Sequence, residues 1–334
     1  MARYGAAVIG VGSSGGDFVR IFRQNDRTEL RAICDIDARR LAEAMGPLPG
    51  VAGYTDFWQV AERSDVDLVA ICTPDHLHTE PAVAMMEAGK HVIIEKPLAT
   101  TWEGLRRTVA AARRTGRKVA HGTQLRWMPL HQEVKRRLSQ GILGELYYAE
   151  ADYGGYSVDL FTAGWRGEPG IDYNLVAGGG VHILDLLLWF VEDEVVEVFG
   201  YGNRKCITQT GLDTFDCLTA VLKFRHGAIA KTTTSFGTDR PQPPGIELCG
   251  TQGCYLSGPE PRFGRGARQP QFETLVVDPP GDLRALLVED FLRAIENDTQ
   301  PLTHLTAAAQ VTAVCIAAFE SAKTGRPVSL AGRW

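Results

Sequence analysis

Two rhythms of apolar and polar positions divide the chain. In its first part, short apolar runs at 6–9, 30–34, 68–72, 91–94 and 118–120 alternate with stretches at 17–24, 38–45, 80–88 and 103–114. In those stretches apolar side chains recur with the period of one helix face. The short runs suit strands buried on both sides, and strand alternating with helix implies parallel strands joined by right-handed crossovers. The pattern predicts a doubly wound α/β domain. Gly89 and Gly116 stand just past two of the helical stretches, where a glycine can take positive φ and stop the helix.

After about residue 125 the rhythm changes. Between 146 and 256, runs at 195–199, 217–224, 228–234 and 246–248 predict a large, mostly antiparallel sheet. His226-Gly227 between two of them reads as a hairpin turn. Helices are expected at 129–140 and 181–190, a surface loop at 259–270 where Pro, Gly and Arg collect, and two closing helices at 283–296 and 303–323. A length of 334 residues fits two domains. The boundaries are placed at 1–123 and 124–334, with the last helices free to pack back on the first domain.

Composition removes several classes of function. Hydrophobic residues at 44%, charged residues at 22% and a net charge of −5 are those of a globular chain without a basic stripe, so no nucleic-acid partner is expected. The apolar run 181–191 contains His182 and Asp185 and is far shorter than the roughly 20 residues of a membrane span, so no membrane partner is expected. Met-Ala-Arg-Tyr leads straight into a strand pattern without a secretory leader, and seven scattered cysteines lack the paired spacing of a disulfide framework or zinc site. Reduced thiols in a cytoplasm are the expectation. His76 and His78 lack a third ligand at suitable spacing, so no metal is expected either.

Chemistry enters with Gly10-Val11-Gly12-Ser13-Ser14-Gly15, which follows an apolar strand and opens a helix. There Gly10 permits a tight turn, Gly12 lets the backbone approach a pyrophosphate, and Gly15 lets the helix pack against the strand, its positive end toward the phosphates. Asp35 ends the second strand, twenty positions beyond Gly15, where a carboxylate accepts from ribose hydroxyls and repels a 2′-phosphate. NAD is the cofactor predicted. Arg39 and Arg40 on the next helix are within reach of such a phosphate and leave NADP open.

With that glycine motif, Cys72-Thr73-Pro74-Asp75-His76-Leu77-His78 and Ala88-Gly89-Lys90-His91-Val92-Ile93-Ile94-Glu95-Lys96-Pro97 follow in order. Gly178-Gly179-Gly180-Val181-His182-Ile183-Leu184-Asp185 and the closing Ser321 to Val328 extend the pattern. Together they resemble the Gfo/Idh/MocA oxidoreductase family. The resemblance implies an N-terminal Rossmann domain followed by an α/β domain whose open sheet often forms an oligomer interface, hence a homodimer or homotetramer. It implies that Lys96 reaches both substrate and nicotinamide, that Glu95 orients it or the nicotinamide ribose of the cofactor, that Pro97 holds a cis peptide, and that His182 is the acid and base. Thr73, Pro74, His78, Arg126, Trp165 and Arg166 are implied at the cofactor, and Gln124 toward the substrate. Many members carry an aspartate four residues before the histidine; here Gly178 stands there, which leaves the chemistry to Lys96 and His182 alone or leaves Asp172, Tyr153 or Tyr173 to substitute.

The activity this implies is reversible hydride transfer between NAD(P) and a secondary alcohol of a sugar, cyclitol or sugar derivative. Two alternatives accompany it: a catalytically silent dinucleotide-binding regulator, favoured by Gly178, and an NAD-dependent glycosidase of related fold, disfavoured by the complete Glu-Lys-Pro motif.

Overall fold

The computed structural model describes residues 3–171, 173–208, 212–239 and 245–334, and divides into two compact units. The first contains residues 1–124 with 281–309 and 334; the second contains 125–280 with 310–333. The segment that opens with the helix Leu283–Glu296 therefore belongs with the N-terminal unit.

The first unit is built on six strands: β1 (Tyr4–Ile9), β2 (Thr28–Cys34), β3 (Ala52–Tyr54), β4 (Leu68–Ile71), β5 (His91–Ile94) and β6 (Val119–His121), in the order β3-β2-β1-β4-β5-β6, all parallel. The strand order reverses between β1 and β4, which puts the ligand-binding crevice of such a sheet at their carboxyl ends. Ala6 to Val8, Leu68 to Ile71 and Val92 to Ile94 are wholly buried, so both faces are covered and no polar alternation appears. Helix Ala38–Met45 is capped by Asp37, which accepts from the Arg39 and Arg40 amides; Thr101 caps Trp102–Thr115 by accepting from Gly104 N at 3.1 Å. Gly89 and Gly116 take φ of 81° and 66°, as their positions predicted.

The second unit carries nine strands: β7 (Leu146–Gly154), β8 (Val195–Asn203), β9 (Cys217–Phe224), β10 (Ile229–Ser235), β11 (Gly245–Gly250), β12 (Gly253–Leu256), β13 (Arg262–Arg265), β14 (Gln271–Thr274) and β15 (Val328–Ser329). Their order is β14-β13-β12-β11-β7-β10-β9-β8-β15, antiparallel throughout except for the central β7–β10 pair. The expected loop at 259–270 is corrected: it contains β13, whose Phe263 lies opposite Tyr255 of β12 and is buried. Four residues among Pro, Gly and Arg are too few for periodicity to reveal a strand. Helix Leu305–Thr324 is long and apolar enough to cross a membrane by length and composition, and 61% of its apolar window is buried inside the protein, as in a core helix.

His91, at the start of β5, accepts a hydrogen bond from Lys118 N at its Nδ1, 3.0 Å away. Burial, with Arg117 and Lys118 adding to it, lowers its pKa from 6.5 to about 4. Below about pH 6.5 the unfolded chain binds a proton that the folded ring refuses, so stability is full above that pH and falls as pH drops toward 4. The expected loss is at most about 3 kcal/mol, reduced by solvent screening because the ring is only partly buried. Urea denaturation at pH 7.5 and 4.5 measures it, and His91→Asn, which keeps an acceptor without a proton site, should flatten the difference.

Candidate active site

At the carboxyl end of β1 the chain turns through Gly10 with φ +86°. A Cβ on Gly10 would stand 2.6 Å from the Cys72 carbonyl, and one on Gly15 would stand 1.9 Å from the Gly10 oxygen. Only glycines let the turn, the end of β4 and the helix Ser13–Gln24 come this close. A Cβ on Gly12 would meet nothing within 4 Å among the described residues, and no side chain caps the helix there. Ser13 is exposed and Ser14 half-buried. A helix start left without a side-chain cap fits the pyrophosphate of a dinucleotide.

Asp35 is 5% exposed and tied into the same turn: its carboxylate accepts from Val11 N and Asp37 N, each at 2.9 Å. Arg40 approaches it at 3.4 Å, while Arg39 is 85% exposed and reaches only Glu43. The carboxylate is thus already charge-paired on its outer side.

Two further loops leave the same edge of the sheet. After β4, Thr73 and Pro74 are half-buried, and the Thr73 hydroxyl is buried without a hydrogen-bond partner among the described residues. A ligand would satisfy it. His78, expected at the cofactor, is 1% exposed, with Nδ1 2.7 Å from Pro97 O and Nε2 2.9 Å from Thr73 O. It joins the two loops from behind.

After β5 come Glu95, Lys96 and a cis bond to Pro97, as the resemblance implied. Glu95 is 5% exposed; its Oε2 accepts from Lys96 N at 3.1 Å and its Oε1 from Arg284 at 2.8 Å. Gly122 makes room for that carboxylate, because a Cβ there would stand 3.0 Å from Oε2. Lys96 is half-buried at the strand end. Gln124 is half-buried too, its side-chain oxygen without a partner among the described residues. Burial, then the charge of Glu95, push the Cys72 thiol well above its ordinary value, so it stays protonated at neutral pH.

In the second unit, His182 lies on the first turn of the helix Val181–Val191, directly after a π-helical turn Val176–Gly180. That turn lies against the sheet through its glycines: a Cβ on Gly179 would meet Phe236 at 2.4 Å, and one on Gly180 the Thr234 hydroxyl at 2.1 Å. A Cβ on Gly178 would stand 1.7 Å from the Tyr173 hydroxyl. That phenol therefore fills the space in which a side chain at 178 would begin. Tyr153 of β7 has its ring centroid 6.2 Å from that of His182 and 5.9 Å from Phe236. Burial raises its phenol pKa, which keeps it a donor. Arg166 lies 4.5 Å over the Trp165 ring and 5.7 Å over Tyr173, an aromatic stack of the kind arginine favours.

Arg126, expected at the cofactor, is 3% exposed and binds Asp185, on the helix that carries His182, through two parallel bonds of 2.8 and 2.7 Å. Asp172 lies outside the described residues. Among the described residues no group of three or more His, Cys, Asp or Glu side chains is placed to hold a metal. Sequence reading missed Arg284 and the roles of Asp185, Gly122 and Phe236; only Asp185, inside a quoted motif, carried a signal.

A glycine turn, an uncapped helix start and an acid-tipped second strand at a switch point define a dinucleotide-binding α/β protein. Residues 4–123 match the family described as oxidoreductase family, NAD-binding Rossmann fold, and residues 131–256 match the GFO/IDH/MocA C-terminal domain. The chain belongs to the Gfo/Idh/MocA family and is an NAD-binding oxidoreductase. It is 28% identical over 244 residues to a 4-carboxy-2-hydroxymuconate-6-semialdehyde dehydrogenase of Sphingobium sp. (strain NBRC 103272 / SYK-6), covering 70% of this chain and 73% of that one. It is 32% identical over 202 residues to inositol 2-dehydrogenase 2 of Saccharopolyspora erythraea, covering 59% and 57%. A levoglucosan dehydrogenase solved with NADH and L-sorbose has the same fold, with a TM-score of 0.86, 21% identity and 99% of each chain covered.

Gly178→Ala should lower stability by roughly 1–3 kcal/mol through overpacking against Tyr173. Thermal denaturation measures it; a variant as stable as the parent would show that the phenol moves aside freely.

Proposed function

We propose that the protein oxidises a secondary alcohol of a sugar, cyclitol or sugar derivative, or reduces the matching ketone, with Lys96 and His182 at the reacting centre. The observation that carries this reading is Lys96 itself, at the carboxyl end of β5 with its backbone amide bound to Glu95, on the sheet edge that also bears the glycine turn. The cyclitol named for the Saccharopolyspora relative and the anhydrosugar and L-sorbose named for the solved neighbour support the substrate class.

NAD supplies the hydride acceptor. Ser13, Ser14 and the first amides of their helix hold the pyrophosphate, and Asp35 receives the adenosine ribose. The Lys96 ammonium stabilises the alkoxide that develops as hydride leaves carbon, and polarises the carbonyl in reverse. His182 takes the hydroxyl proton and returns it, the work of a general acid and base. Tyr173 and Tyr153 order its surroundings, the Tyr173 hydroxyl standing in for the carboxylate that many relatives carry at 178. Trp165 and Arg166 close on the cofactor and Gln124 on the substrate. NAD is preferred to NADP because the Asp35 carboxylate opposes a 2′-phosphate.

The protein is further proposed to work in a cytoplasm, where its seven free thiols stay reduced, and as a homodimer or homotetramer. Phe199, Tyr201, Val221, Ile229 and Tyr148 share one face of the second sheet, and Tyr201 and Val221 are 70% and 47% exposed. A second copy of the chain is the occupant of that face. Val221→Glu should reduce the sedimenting mass to that of a smaller species; an unchanged mass would place the contact elsewhere.

Lys96→Ala should cut turnover, followed as NADH absorbance across a panel of sugars and cyclitols, by about 10²- to 10³-fold while NADH binding persists. Undiminished turnover would remove Lys96 from the chemistry. Dinucleotide binding with no turnover on any substrate would favour the silent regulator, and release of free sugar without net NADH the glycosidase.

A further inference from the structure

We propose that Arg284 is a positioning residue of the dinucleotide site: it ties the helix that receives the pyrophosphate to the strand end that presents Lys96. The proposal rests on the reading of Lys96 given above, and it concerns the first unit alone.

Helix Ser13–Gln24 packs on β1, β2 and β4, whereas Lys96 follows β5. Arg284 spans that gap. One guanidinium nitrogen binds Asp17, on the first turns of the helix, and another binds Glu95 Oε1 at 2.8 Å; the carbon between them lies 5.3 Å over the Phe18 ring. The arginine is 16% exposed and the Glu95 side chain 7%. Glu95 in turn accepts from Lys96 N with its other oxygen. A run of charge-assisted bonds thus passes from Asp17 through Arg284 and Glu95 to the Lys96 backbone. The rigid planar fork of arginine suits two partners on separate elements; the point charge of lysine suits one. With each terminal nitrogen bound to a carboxylate on a different element, Arg284 has the geometry of a strut.

Its helix is seated by a second set of bonds: Asp282 caps Leu283–Glu296 by accepting from the Arg284 and Ala285 amides, and Arg20 binds Asp282 at 2.8 Å and lies 3.9 Å from Asp17. Arg20 therefore joins the same two helices without touching Glu95. This contrast separates a strut for the site from a simple dock for the last helix.

The test is NADH affinity by fluorescence titration, with circular dichroism to verify folding and kcat measured on any substrate found. In Arg284→Ala, NADH should bind more weakly by on the order of 10- to 100-fold, the range that loss of a supporting partner costs a site. Arg284→Lys should recover part of this, and Arg20→Ala should lower the melting temperature with wild-type NADH affinity. Wild-type affinity in Arg284→Ala, or equal weakening in Arg284→Ala and Arg20→Ala, overturns the proposal. If Arg284→Ala fails to fold, Arg284→Lys and Asp17→Asn decide it: weaker NADH binding supports the strut and unchanged binding overturns it. Full turnover in Lys96→Ala would defeat the functional reading, while the titration would still decide the role of Arg284.

Discussion

Helix Ser13–Gln24 can begin where it does only because residue 15 has no side chain to push it away from the Gly10 carbonyl, and the other features of the first unit depend on that closeness. With the helix seated on the end of β1, its unpaired amides point out over the sheet edge, as a phosphate requires. The turn at Gly10 in turn lies against the end of β4, so the loops after β1 and β4 share one rim. His78 then fastens the β4 loop to the carbonyl of Pro97. The Glu-Lys-Pro segment is thereby held at a set distance from the phosphate-binding turn without contributing to it.

The second unit meets the same demand by different means. Three successive glycines let a wide helical turn sink onto aromatic and hydroxyl side chains of the sheet, and His182 emerges at its end. π-Helical turns recur at functional positions, where one extra residue re-aims the side chains of the next turn. The buried Arg126–Asp185 pair holds the same helix one turn further on. A paired, desolvated charge of this kind is a weak source of stability, but breaking it is costly, which suits an element that must not rotate.

The parallel sheet was legible because its strands are buried on both faces and read as unbroken apolar runs, and because glycines mark the helix ends at 89 and 116. The cis bond before Pro97 and the tethering of Lys96 by Glu95 were legible through the family motif. β3 and β13 were not, since three or four residues carry no period. The partners of Arg126 and His78 were not legible for a different reason: a motif says which residue stands at a position, whereas only the fold shows that Asp185, or the carbonyls of Thr73 and Pro97, engages it. Arg284 lies 189 positions from Glu95, and no local pattern joins them. Nor could spacing show that a phenol fills the place left by Gly178.

Asp35 illustrates how one carboxylate can be bound to two tasks. In the function proposed above it receives the adenosine ribose, and in the fold it accepts from the amides of Val11 and Asp37. Exchanging coenzyme preference by replacing this residue would therefore loosen the phosphate loop as well as remove a negative charge.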